Sequence, residues 1–212
     1  MALKKSPGQI PPDIGSDLSA FPALDNDLEI EDSRVEAIDL EGRAVRGITA
    51  RGSVFERVTF AGCTLPSMRL RDVRFVRCDL SNAVLIGCEA IRVEFIECRL
   101  TGIKAMECRW KHVLVEGCET RYAQWNDGVL KECEFRDSQL SEADFRASDL
   151  DVSRFSRCLL TRADLTGAKL RGVDLRGADI EGISLRPPDV RGVLVTTAQA
   201  IDLARLLGMV IG

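Results

Sequence analysis

The sequence predicts an all-β solenoid, a stack of square coils with parallel strands, closed at its C-terminal end by a short helix. Three observations predict it. Seven of the eight phenylalanines (Phe55, Phe60, Phe75, Phe95, Phe135, Phe145, Phe155) and both tryptophans, Trp110 and Trp125, fall in one phase of a five-residue period. Two residues before each of these centres lies a second phase of small or apolar residues, running from Val58, Cys63 and Met68 to Cys98 and Ile103, and all eight cysteines occupy it. Two residues after the centres stand twelve of the 17 glycines.

A period of five fits neither the 3.6-residue helix repeat nor simple strand alternation. Centre and centre-minus-two do share one face of a short extended segment, which a tight turn must follow. Glycine in the turn supplies permissive backbone angles. Each pentapeptide then turns one corner, four corners close a coil of 20 residues, and stacked coils pair their backbones about 4.8 Å apart.

The units Ala163-Asp164-Leu165-Thr166-Gly167, Ala168-Lys169-Leu170-Arg171-Gly172, Val173-Asp174-Leu175-Arg176-Gly177 and Ala178-Asp179-Ile180-Glu181-Gly182 resemble consecutive copies of the A(D/N)Lxx motif of pentapeptide-repeat proteins. That resemblance implies a right-handed quadrilateral parallel β-helix with centre and centre-minus-two inward. The register runs from Leu28 to Thr197, which is 34 pentapeptides. Ala50, Ala90, Ala105 and Thr120 are small for centres, Arg43 is a charge at an inward position, and Pro188 removes a donor near the end.

Stacked coils expose an apolar cross-section at each end, which terminal segments must cover. Residues 1–27 are expected to be a flexible tail and cap, with Phe21 and Leu24 as a lid. Residues 28–197 form the β-helix. Residues 198–212 are expected to form a C-terminal α-helical cap over 198–207, with Thr197 as N-cap and Gly208 as stop, followed by a short strand Met209-Val210-Ile211. The helix is more apolar than capping requires, so a homodimer through Ile201, Ala204, Leu207 and Val210 is expected. This end resembles the dimerising end of the quinolone-resistance members.

The composition narrows the function. The chain has 29 cations against 33 anions, a formal net charge of −4, which excludes a generally basic nucleic-acid binder. One histidine, His112, rules out a multi-histidine metal site; it stands on the outside and is expected to be solvated. No two cysteines are closer than ten residues, and neighbours in a column would have parallel Cβ vectors about 4.8 Å apart, beyond disulfide reach. The thiols are expected to be reduced and space-filling, Trp110 and Trp125 to be core, and the protein to have no catalytic residue, cofactor or metal. The first 30 residues lack a signal-peptide core and no run of 18 apolar residues occurs, so a cytoplasmic protein without membrane contact is expected.

Function is therefore expected on the outer faces. The face with centres 40, 60, 80 onward exposes Asp39, Glu41, Asp79, Glu119, Glu142, Asp179 and Glu181 against three arginines. The opposite face exposes nine cations, Arg51, Arg69, Arg71, Arg92, Arg109, Lys111, Lys131, Lys169 and Arg171, against five acids. A rigid scaffold for a protein partner is the leading reading, with those seven acids and Asp144 as candidate partner-binding residues. Resemblance to the quinolone-resistance members implies an alternative, a DNA mimic that modulates DNA gyrase or another type II topoisomerase. Charge weighs against it: residues 41–186 hold 24 cations and 22 anions, and the densest acidic stretch is 127–151.

Overall fold

The computed structural model describes residues 9–20 and 28–211, so the expected lid residues Phe21 and Leu24 lie outside the described residues. The chain is a parallel β-solenoid of about 8 turns with one short helix near its C-terminus. From Glu29 onward paired residues stand 20 apart, one coil, except for a register shift where Ser156 meets Gly177. We name the sides by their centres. Single parallel bridges link the first side through Asp39, Thr59, Asp79, Arg99, Glu119, Gln139 and Leu159, and the second through Ala44, Thr64, Val84, Lys104, Gln124, Asp144, Asp164 and Ser184. The third side runs Ile30, Ala50, Leu70, Ala90, Trp110, Leu130. The fourth runs Val35, Phe55, Phe75, Phe95, Val115, Phe135, Phe155.

The expected inward residues are the core. Phe55 and Phe75 stack at 4.8 Å, Phe75 and Phe95 at 4.9 Å, and Phe135 and Phe155 at 4.8 Å, the coil spacing itself. Val115 interrupts the ring column as the sequence indicates. Where centres are small the indoles fill the space: Trp110 pairs with Ala90 and stacks on Phe95 at 5.6 Å, and Trp125 stacks on Phe145 at 5.0 Å. Thr120 is accommodated because its hydroxyl donates to the Gln139 carbonyl at 2.7 Å. Arg43, expected inward, is exposed, since an unpaired charge has no place in this core.

The corners correct one expectation. From Gly42 to Gly172 every residue two past a centre has positive φ, yet most of these are not glycine; twenty non-glycine residues in the described chain adopt it. Asp, Glu, Arg and Asn fill these corners, and even Val152 is held at φ 59°. Each costs something locally, but the paired coils above and below leave the chain no alternative.

The C-terminal end is built one residue earlier than expected. Pro187–Val190 forms a 3-10 turn, and the helix spans Thr197–Leu206. Its N-cap is Thr196, because Thr196 and Gln199 form a reciprocal capping box that Thr197 cannot make. Buried Gln199 donates to the carbonyls of Leu175 and Ala178 at 2.7 and 2.8 Å, and Leu203 is the apolar plug. Residues 209–211 make no strand; the Met209 amide donates instead to the Ala204 carbonyl.

Candidate functional site

The interior is packed with apolar side chains and thiols. All eight cysteines are free and buried. Burial pushes the Cys133 thiol up to about 12 and the Cys158 thiol up to about 11, so thiolate is scarce at neutral pH. Among the described residues no group of three or more His, Cys, Asp or Glu could hold a metal ion. No helix among them is long and apolar enough to cross a membrane.

The outer sides carry the polar groups, and the acidic candidates prove to have a structural task. Asp39, Asp79 and Asp179 each stand just before a centre, and each carboxylate accepts the amide two residues on, from Glu41, Ser81 and Glu181 at 2.9, 2.9 and 3.0 Å. Asp144, Asp149, Asp164 and Asp174 do the same on other sides. The aspartate of the repeat thus closes its own turn. Of the eight candidate partner-binding residues, the bridging pattern brings Asp39, Asp79, Glu119 and Asp179 into one ladder, with Glu41, Glu142 and Glu181 flanking it; Asp144 lies on the second side.

Arginines neutralise much of this charge. Asp79 faces Arg99 at 3.5 Å, Glu142 faces Arg162 at 2.7 Å, and Asp144 faces Arg146 at 2.6 Å. Within 127–151, Asp137 meets Arg157, Glu134 meets Arg136, Asp149 is held by Lys131 at 3.0 Å, and Asp151 by Arg171 at 2.8 Å. The titration behaviour follows. Burial works to raise Asp144 and Asp149, but Arg146 and Lys131 outweigh it and hold both carboxyls below their ordinary range. Within 127–151 seven of the eight acids are half of an ion pair, whereas Asp39, Glu41, Glu119, Asp179 and Glu181 on the first side have no cation within 4 Å among the described residues.

The third side is different. Arg51, Arg69 and Arg71 are exposed, and among the described residues none has a carboxylate within 4 Å. They line a surface depression of about 330 Å³ together with Glu29, Glu31, Thr49, Glu89 and Ile91.

A feature without sequence signal lies along the corner between the third and fourth sides. Residues 9–20, assigned above to a tail, run along this corner. The Gln9 amide reaches the His112 carbonyl at 3.4 Å, the Asp13 amide donates to Asp72 at 3.0 Å, and Ser19–Ala20 pairs in parallel with Ser33 and Arg34. They carry no centre phase, which is why the repeat did not reveal them. One consequence corrects the reading of His112. It is only 8% exposed, and its Nε2 lies 3.1 Å from the Glu132 carboxylate. Burial lowers its pKa, with Glu132 opposing.

At the C-terminus, the candidate dimer residues are spread around the helix end. Ile201 and Val210 are exposed, Val210 almost completely, while Ala204 and Leu207 are half-buried. Leu206, Met209 and Ile211 extend the exposed apolar surface.

A four-sided solenoid with a packed apolar core and charged sides defines a class of structural repeat protein. Residues 48–125 match the family profile described as Pentapeptide repeat region, and residues 138–177 and 148–186 match Pentapeptide repeats (8 copies). The chain belongs to the pentapeptide-repeat family. Among solved structures it is similar to HetL, a pentapeptide repeat protein involved in heterocyst differentiation regulation from the cyanobacterium Nostoc sp. strain PCC 7120. The identity is 16%, over 80% of this chain and 87% of that chain, with a TM-score of 0.37. Full-length QnrB1, a plasmid-mediated fluoroquinolone resistance protein, is 25% identical over 85% of this chain and 90% of that chain, with a TM-score of 0.36. Rfr23 from the cyanobacterium Cyanothece 51142 is 14% identical over 65% of this chain and 91% of that chain, with a TM-score of 0.22. No curated protein matches the sequence significantly.

Proposed function

We propose that this chain is a rigid, non-enzymatic protein-interaction scaffold, acting in the cytoplasm and dimerising through its C-terminal end. The observation that carries the reading is the division of labour between inside and outside. Every residue type able to do covalent or redox chemistry in the core is a buried, unreactive filler, whereas the sides repeat charged side chains at coil spacing on a backbone locked by parallel pairing. Reduced buried thiols suit a reducing compartment. The partner is a protein, and the sides are where it binds. The exposed Ile201, Leu206, Met209 and Val210 support a second copy at the C-terminus.

DNA mimicry at a type II topoisomerase is the weaker reading, because Asp137, Glu142, Asp144, Asp149 and Asp151 are already ion-paired. The two readings separate experimentally. Affinity capture with the full chain as bait, followed by cross-linking through Lys104, Lys111, Lys131 and Lys169, should retain a specific protein cross-linked to side lysines. Retention of nothing above background would count against the scaffold. Salt-sensitive inhibition of gyrase supercoiling would restore the mimic.

A further inference from the structure

We propose that the third side, at Arg51, Arg69 and Arg71, docks an extended acidic segment of a partner protein whose carboxylates stand two residues apart. The inference rests on the scaffold reading and names the chemistry of one partner.

The first ground is that these arginines are arranged against stability. Arg51 and Arg71 are direct register partners in adjacent coils, about 4.8 Å apart along the ladder. Like charges placed opposite one another on a sheet repel. At several other positions opposite charges alternate instead: Arg74 meets Glu94, Arg92 meets Asp72, Arg157 meets Asp137, and Arg171 meets Asp151, each one coil away, although Lys111 and Lys131 are also like-charged register partners. Here Glu31, the register partner of Arg51, makes no ion pair with it, and two other neighbouring acids are taken. Glu89, the register partner of Arg69, turns to Arg109 at 3.8 Å, and Asp72 is held by Arg92.

The second ground is geometric. Arg69 and Arg71 are alternate residues of the strand Arg69–Val76, so their side chains leave the same face about 6.6 Å apart. An extended peptide lying alongside presents alternate side chains at the same interval. A guanidinium fork holds a carboxylate through two parallel hydrogen bonds, and Arg51 stands one coil from Arg71, close enough to share its carboxylate. The depression between them gives the peptide backbone a seat.

The third ground decides between a peptide and a nucleic acid. Glu31 is one coil from Arg51 and Glu89 one coil from Arg69 in register, and Glu29 lies two coils from Arg69 through Thr49. A continuous phosphate backbone leaving the trio would meet carboxylates at once. A short acidic segment ends within it. The molecule's own residues 9–20, with Pro11 and Pro12, lie on the adjoining corner through backbone hydrogen bonds, so an extended chain already packs beside this side.

The test uses the full chain and a fluorescein-labelled eight-residue peptide of serines with two central glutamates separated by one serine, titrated by anisotropy at low and at physiological salt. Binding to the wild type is expected, and R71E should weaken it at least tenfold, whereas K104E, on the second side, should not. A control peptide with its glutamates in one block should bind several-fold more weakly. Because R71E replaces a repulsive register pair by an attractive one, it should raise Tm by about 1–3 °C, so lost binding is not lost folding. No binding at low salt, equal loss with K104E, equal binding of the blocked peptide, or a fall in Tm with R71E would each overturn the proposal. So would tighter binding of a 20-base-pair duplex DNA through the same arginines. Failure here with a partner still captured would remove this site and leave the scaffold.

Discussion

At the scale of single residues, stability is set by corners and by buried carboxylates. Val152 is a β-branched residue held at φ 59°, where its branched Cβ is poorly tolerated. Val152→Gly should therefore stabilise the chain by about 1 kcal/mol, seen as a higher urea midpoint at unchanged slope. Asp189 is the opposite case, a group the fold depends on. It is 8% exposed and accepts from the Gly167 and Arg186 amides and from the Arg186 guanidinium, all at 2.9–3.0 Å. The Arg186 hydrogen bond, reinforced by those amides, outweighs burial and lowers its pKa from 3.8 to about 2. Since the folded value is depressed, its stabilisation is complete above about pH 4 and is lost as pH falls toward 2. Asp189→Asn should cost about 1–3 kcal/mol at pH 7 and much less at pH 2, measured by denaturation at both. Buried thiols give a third expectation: native protein should show at most one or two fast-reacting groups with a thiol reagent, and all eight in denaturant.

At the scale of elements, the two ends behave differently, and both show what a sequence can carry. The helix Thr197–Leu206 covers the last coil with Leu203 and Gln199, so Leu203→Asp should bury a charge over an apolar coil and cost about 2–4 kcal/mol of stability, seen as a lower urea midpoint. Val210 lies outside that contact. Val210→Glu should leave the midpoint unchanged but convert the expected dimer to monomer in light scattering; an unchanged mass would refute dimerisation through this end. The coils were legible because one phase of five decides burial: Phe55 to Phe155 and the cysteines could be placed inward without any coordinate. The helix was legible to within one residue, the error arising because capping depends on which threonine pairs with Gln199. Residues 9–20 were not legible, since they lie on a corner through a few hydrogen bonds and obey no period. Nor was the role of Asp39, Asp79 and Asp144, because an exposed acid and a turn-closing acid look alike in sequence.

At the scale of the whole molecule, the solenoid converts a five-residue rule into four straight sides with distinct charge. The first side keeps its acids in a ladder partly answered by arginine, and the third keeps three arginines unanswered. The core contributes stiffness, so specificity rests on which side chains the repeat leaves free at positions flanking each centre. A surface-based function should then be separable side by side without loss of fold. The most direct measurement is affinity capture from the source cells with the wild type and four variants, each reversing two unpaired or exposed charges on one side only, with circular dichroism confirming the fold of each. The account predicts that all four remain folded and that reversal on one side alone abolishes retention of the partner. Retention of the same partner by all four would contradict it, since binding would then not reside on the sides.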